Sequence, residues 1–367
     1  MIHGERVKQV REMHQMTQSE LADGFPGLSQ HQLSRIEKTG AQPDDETVAL
    51  LAATFGVSVD FFHRPIDVAL NALSPQLRAR NRLTQRSKNA AMQWANVVYE
   101  EYHRLGQSAR SIPCRLPAMK GVDPREAAQK TREVLGFTPQ EPLPYLVLAV
   151  ERLGVTVLGV PFKAENLDGF SAWQGDEPVI ALLSEVPGDR LRFTVAHELG
   201  HLVLHTPGQV GAVVEAEADI FAAELLTPIS AMEMVFPRNP TLSSLAMLKT
   251  QWGVSIKSLV RRARDLDIVS QDRAISLYKQ ISARGWNKKE PGHVPQEKPR
   301  AFRKMMEIHY GEGLSVMAAA RSAGWSEELV MNVIEQHAGV EDLPHAPVRS
   351  ISESGSNVIQ LRRRAAF

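Results

Sequence analysis

The sequence predicts a multidomain fold: an all-α N-terminal domain of helix-turn-helix type, an α+β domain in the middle of the chain, and a mostly helical C-terminal region. Three observations predict it. Two capping boxes, Thr17 with Glu20 and Ser29 with Gln32, open closely spaced helices near the N-terminus. From Val155 the hydrophobic period changes, and V-T-V-L-G-V and P-V-I-A-L-L read as strands bounded by Gly, Asp and Pro. They lead into T-V-A-H-E-L-G-H-L, Thr194 to Leu202, which reads as an apolar helix broken only by its His and Glu residues. A chain of 367 residues is also long for one hydrophobic core.

Composition narrows the class. With 43% hydrophobic and 23% charged residues the chain reads as a soluble globular protein. Its formal net charge is zero, so any contact with nucleic acid must come from a local surface rather than a broad positive field. The single cysteine, Cys114, excludes an intrachain disulfide framework and reads as an ordinary small apolar side chain. No secretory leader and no 18-residue apolar run is present, which gives the expectation of a cytoplasmic protein without membrane contact.

Taken in order, residues 1–65 read as short helices. One carries Val7, Val10 and Met13 inward, one runs from about Gln18 to Phe25, one from about Gln30 to Lys38, and one carries Val48, Leu51, Ala52 and Phe55. The second and third are separated by the tight F-P-G segment, Phe25 to Gly27. A recognition helix starting at Ser29 presents Gln30, His31 and Gln32 from its first turn, and glutamine can pair bidentately with adenine in the major groove. Gln18, Arg35 and Lys38 are placed to touch phosphates, which position without specifying sequence. A solvated helical bundle would show the same polar face.

The stretches V-R-E-M-H-Q-M-T-Q-S-E-L-A, G-L-S-Q-H-Q-L-S-R-I-E-K-T-G and L-A-A-T-F-G-V-S-V-D-F-F resemble the helix-turn-helix of the phage-repressor and xenobiotic-response-element (XRE) family over residues 5–64. That resemblance implies binding of double-stranded operator DNA as a homodimer. Residues 66–150 read as a mostly helical connector, including the Ala-rich S-K-N-A-A-M-Q-W-A-N-V-V-Y-E.

In the middle domain, 151–268, His197 and His201 share a helix face with Glu198 beside them, a spacing that lets two imidazoles meet one zinc ion. Glu198 would then serve as general base toward water and acid toward the leaving amine. A further protein ligand is required. In V-E-A-E-A-D-I-F-A-A-E-L-L-T-P, Glu215 and Asp219 share one face and Glu217 points elsewhere. The pairing suggests Glu215 as ligand and Asp219 as the carboxylate that fixes a histidine tautomer. Glu217 and His205 are the alternates, and three acids on an Ala-rich helix are also what a solvated face looks like.

H-E-L-G-H-L-V-L-H followed by E-A-E-A-D-I-F-A-A-E-L-L-T-P resembles the ImmA/IrrE metallo-endopeptidase family, from about Leu153 to Arg264. The resemblance implies a zincin-like domain with zinc held by His197, His201 and Glu215 and with Glu198 as general base. It also implies cleavage of a repressor or antitoxin protein, and fusion to this kind of helix-turn-helix. Thr227 stands where methionine is common in the family. The competing expectation is a regulator whose metal domain only senses or stabilises. A helical stretch is expected from about Ile229 to Asp265. Residues 269–345 read as a helical accessory region, with a Pro-broken polar segment ending at Pro299. Residues 346–367 read as a loose tail in which V-I-Q-L forms at most one short strand.

Overall fold

The N-terminal helices are α1 (Gly4–Met13), α2 (Gln18–Asp23), α3 (Gln30–Thr39), α4 (Asp45–Phe55) and α5 (Val59–His63) in a computed structural model that describes residues 1–25, 27–70, 84–107, 113–184, 186–311 and 313–339. Both capping boxes are formed, at Thr17–Glu20 and at Ser29–Gln32. Val7, Val10, Met13, Leu21, Leu33, Ile36 and Leu51 are buried together. A Cβ on Gly4 would lie 1.9 Å from the carbonyl oxygen of Ile36, so only glycine lets α1 cross α3 at backbone contact. Inside this core Arg11 donates to both oxygens of Glu37, at 2.6 and 2.9 Å.

The N-terminal helical domain is not an isolated bead. α6 (Gln85–Gly106) lies along α1: Trp94 Nε1 donates to the Met13 carbonyl at 3.0 Å, and Arg6 binds Glu100. At the other end of the chain, α15 (Ala301–Tyr310), α16 (Val316–Ala323) and α17 (Glu327–Glu335) return to the same core. Val57 and Trp325 form an antiparallel bridge, closed by Ser58 N–H to Gly324 O and Ser326 N–H to Gly56 O, both 2.8 Å. Arg64 Nη1 donates to the Ser322 carbonyl at 2.7 Å.

Between these parts sits a small sheet of β1 (Thr156–Val160), β2 (Gly169–Gln174) and β3 (Glu177–Leu183), in the order β1-β3-β2. β1 and β3 are parallel, β2 and β3 antiparallel. The two expected strands are β1 and β3; β2 is an additional one. Alternation along β3 explains the layering. Val179, Ala181 and Leu183 face the core shared with the N-terminal helices, α6 and α15 to α17, whereas Ile180 and Leu182 face a second core.

The second core contains α7 (Pro124–Val134), α8 (Leu146–Arg152), α9 (Gly188–Leu204) and α10 (Ala212–Leu226). The stretch from 66 to 150 therefore divides, with α6 in one core and α7 and α8 in the other. Cys114 is exposed rather than packed. The single helical stretch expected from Ile229 to Asp265 is broken into α11 (Ile229–Val235), α12 (Leu242–Trp252) and α13 (Ile256–Asp265). Pro237 and Pro240 cannot continue a helix, and Gly253 ends α12 at a left-handed φ of 67°.

After α14 (Gln271–Ala283) the Pro-broken segment runs irregularly over the start of α9. Two carboxylates pin it: Glu290 to Lys249 at 2.9 Å, and Glu297 to Arg192 and to the Val147 N–H. The tail with V-I-Q-L lies outside the described residues. Among the described residues, no helix is long and apolar enough to cross a membrane.

Candidate metal centre and nucleic-acid face

α9 and α10 approach closely because Gly200 has no side chain. A Cβ there would meet Phe221 Cδ1 at 3.0 Å and Ala218 Cα at 3.3 Å. That contact sets α10 opposite the histidines. His197 Nε2 and His201 Nε2 stand 3.0 Å apart, and Glu215 spans them, with Oε2 3.6 Å from the first and Oε1 3.6 Å from the second. One donor atom from each residue lies within 4.8 Å of the others. Both histidines are buried, and buried Glu215 Oε1 has no hydrogen-bond partner. Two imidazole nitrogens and an orphaned carboxylate oxygen turned to one point fit a cation of the zinc type.

The outer contacts dictate which nitrogen faces that point. Asp219 Oδ1 lies 3.0 Å from His197 Nδ1 and accepts a hydrogen bond from its N–H, which makes Nε2 the nitrogen that faces a metal. On His201 the same task falls to a chain of two residues. Glu217 Oε2 accepts from His205 Nε2 at 3.0 Å, so His205 Nδ1 is an acceptor for His201 Nδ1–H at 2.9 Å, and His201 Nε2 is again the open nitrogen. Neither His205 nor Glu217 joins the ligand cluster. Both alternates lie behind His201, His205 in contact with it and Glu217 in contact with His205.

Electrostatics follow this geometry. Burial opposes charge on His197, but Asp219, Glu215 and Glu198 outweigh it and raise it to about 9. Burial, with His197 and His205 nearby, pushes His201 down to about 2. Burial raises the Asp219 carboxyl, yet His197 and Arg261 hold it below its ordinary value.

Glu198 is fully buried, and Ser171 Oγ on β2 donates to its Oε2 at 2.7 Å. Sequence reasoning did not find Ser171. Its only signal is a hydroxyl in the middle of the apolar run G-F-S-A-W. If Glu217 orients His201 through His205, Glu217→Ala should lower zinc affinity about 10–100-fold in competition with a chromophoric chelator. Glu217→Gln keeps an acceptor and should restore most of that loss. An unchanged affinity in Glu217→Ala would remove the two-residue support from the account.

On the helix-turn-helix, Gln30 and His31 are exposed in the first turn of α3. Ser29 and Gln32 are committed to the cap: Gln32 Oε1 accepts from the Ser29 N–H and hydroxyl, both at 2.8 Å. Gln18 donates to Glu37 at 2.8 Å, which ties its carboxamide to the buried Arg11 pair. Arg35 and Lys38 are exposed on α3.

Residues 7–62 match the Helix-turn-helix family, and residues 150–264 match the IrrE N-terminal-like domain family of peptidase M78. No curated protein matches the chain significantly. The first match supports DNA binding, and the second supports a metallopeptidase-like domain around the His197–His201–Glu215 cluster. The chain thus joins a segment that matches the helix-turn-helix family, XRE-type, to one that matches the peptidase M78, IrrE N-terminal-like family.

Proposed function

We propose that the chain is a cytoplasmic, homodimeric, DNA-binding transcriptional regulator whose zinc-dependent endopeptidase domain cleaves a repressor or antitoxin protein. The observation that carries this reading is buried Glu198, oriented by Ser171 beside two histidine nitrogens and Glu215. Zinc, when bound, supplies Lewis-acid activation of water and of the scissile carbonyl. The chain's own residues do the rest. Glu198 takes the proton of the attacking water and delivers it to the leaving amine, and Ser171 holds the carboxylate in line. Asp219, and Glu217 through His205, hold the Nδ1 side of the two imidazoles, so that Nε2 is the nitrogen each turns toward the metal.

Incubation of the zinc-loaded chain with repressor and antitoxin proteins of its own organism, and with a pool of proteome-derived peptides, tests this reading by the appearance of new N-termini. Absence of any Glu198-dependent cut in either set would sink it. A second reading, a regulator whose metal domain only senses, is favoured by one observation: the reading head shares a core with one face of the sheet whose other face packs on the metal helices.

For the DNA end, exposed Gln30 and His31 are the base-reading pair, with Arg35 and Lys38 toward the phosphates, while Gln18 is held on Glu37. Gln30→Ala with His31→Ala should lower discrimination between selected operator duplexes and random DNA by about tenfold or more, since a good base contact contributes roughly 1–3 kcal/mol. Discrimination left intact would move base reading off the first turn of α3.

A further inference from the structure

A cavity of about 380 Å³ opens beside the His197–His201–Glu215 cluster, and Asp219, which holds His197, lines it. Its wall includes Phe193, whose ring lies 6.3 Å from that of His197. Phe193, Leu226 and Tyr278 make part of it apolar, while Arg125 of α7 and Lys257 and Arg261, one turn apart on α13, bring cationic groups to it. The other charged groups of the cavity are already matched. Arg262 is buried on Glu224, and Asp265 is taken by Arg264 at 2.8 Å. Asp219 accepts from His197 at 3.0 Å and, weakly, from Arg261 at 3.4 Å. Lys257 and Arg125 have no side-chain hydrogen bond or ion pair among the described residues. The Arg261 side chain is 53% exposed and only loosely held. The cavity therefore carries uncompensated positive charge over apolar walls, next to the point where a peptide bond would be cut.

We propose that this cavity selects an acidic side chain, glutamate or aspartate, at a residue adjoining the scissile bond of a peptide substrate. The proposal rests on the peptidase reading and names its substrate class. The methylenes of the side chain pack on Phe193 and Tyr278, and its carboxylate meets Lys257, Arg125 and Arg261.

The test uses the zinc-loaded full chain carrying Glu198→Gln and two peptide hydroxamates that differ only in a Glu or Lys side chain next to the hydroxamate. Titration calorimetry should give about tenfold tighter binding of the Glu probe, the combined effect of partly exposed charge pairs. The added substitutions Lys257→Glu and Arg125→Glu, at residues that touch no metal ligand, should reverse the preference while zinc content stays unchanged. Equal affinity for the two probes, or a preference that survives the charge reversal, overturns the proposal. Free glutarate that binds as tightly as the Glu probe also overturns it and makes the cavity a small-carboxylate site. Failure of the peptidase reading is seen separately: a Glu preference in a wild-type protein that cuts nothing rejects proteolysis and leaves the acid selectivity standing.

Discussion

Glu198→Gln is expected to leave fold and metal content unchanged and to reduce peptide cleavage by about 10²–10⁴-fold. Glutamine has nearly the volume of glutamate, and its carboxamide oxygen can still accept the Ser171 hydroxyl that now reaches Oε2 at 2.7 Å. What it loses is the capacity to take a proton from water. Packing around this fully buried side chain is therefore conserved while the chemistry is removed. Elemental mass spectrometry for zinc, circular dichroism for fold and mass-spectrometric counting of new N-termini read the three properties separately. Cleavage at the wild-type rate would assign the base to another residue.

Glu215→Ala should take the protein from about one bound zinc per chain to none under dialysis, because two histidines alone make a poor site. His205→Ala should instead weaken binding without abolishing it, since His205 contacts His201 from behind and is not itself one of the three clustered residues. The pH dependence has a definite sign. In the metal-free fold His197 is raised to about 9 by Asp219, Glu215 and Glu198 against the opposing effect of burial, so it carries a proton at neutral pH. A metal ion must displace that proton. Wild-type zinc affinity should therefore rise about tenfold per pH unit from pH 7 to near 9 and flatten above it. His201, depressed to about 2, adds nothing to this slope. An affinity independent of pH across that window would contradict the geometry assigned to Asp219. Zinc retained by Glu215→Ala would move the third ligand elsewhere.

Local chemistry made part of this structure legible before any coordinates. Capping boxes are written in four consecutive residues, so Thr17–Glu20 and Ser29–Gln32 open helices where expected. Helical spacing puts His197 and His201 on one face, and Glu215 and Asp219 on another. What escaped is what depends on elements meeting. Ser171 reaches Glu198 only because β2 pairs with β3 under α9, and β2 itself, a short strand of mixed burial, left little periodic signal. The roles of His205 and Glu217 depend on how α10 crosses α9 at Gly200, which no spacing encodes. The breaks after α11 and α12 were written in Pro237, Pro240 and Gly253, yet the apolar period across them hid the boundaries. Trp325 meeting Val57 is a contact between distant segments and leaves no local trace.

The Val57–Trp325 bridge has a consequence for any cut in the middle of the chain. The reading head is stitched to the last helices by backbone hydrogen bonds, by Arg64 on Ser322 and by a common buried core. A single cut between α6 and α15 would leave two fragments folded as one particle, with the head still seated. Scission and separation are then distinct events: the backbone bridge, the Arg64–Ser322 bond and the shared core must all open before the two pieces can part.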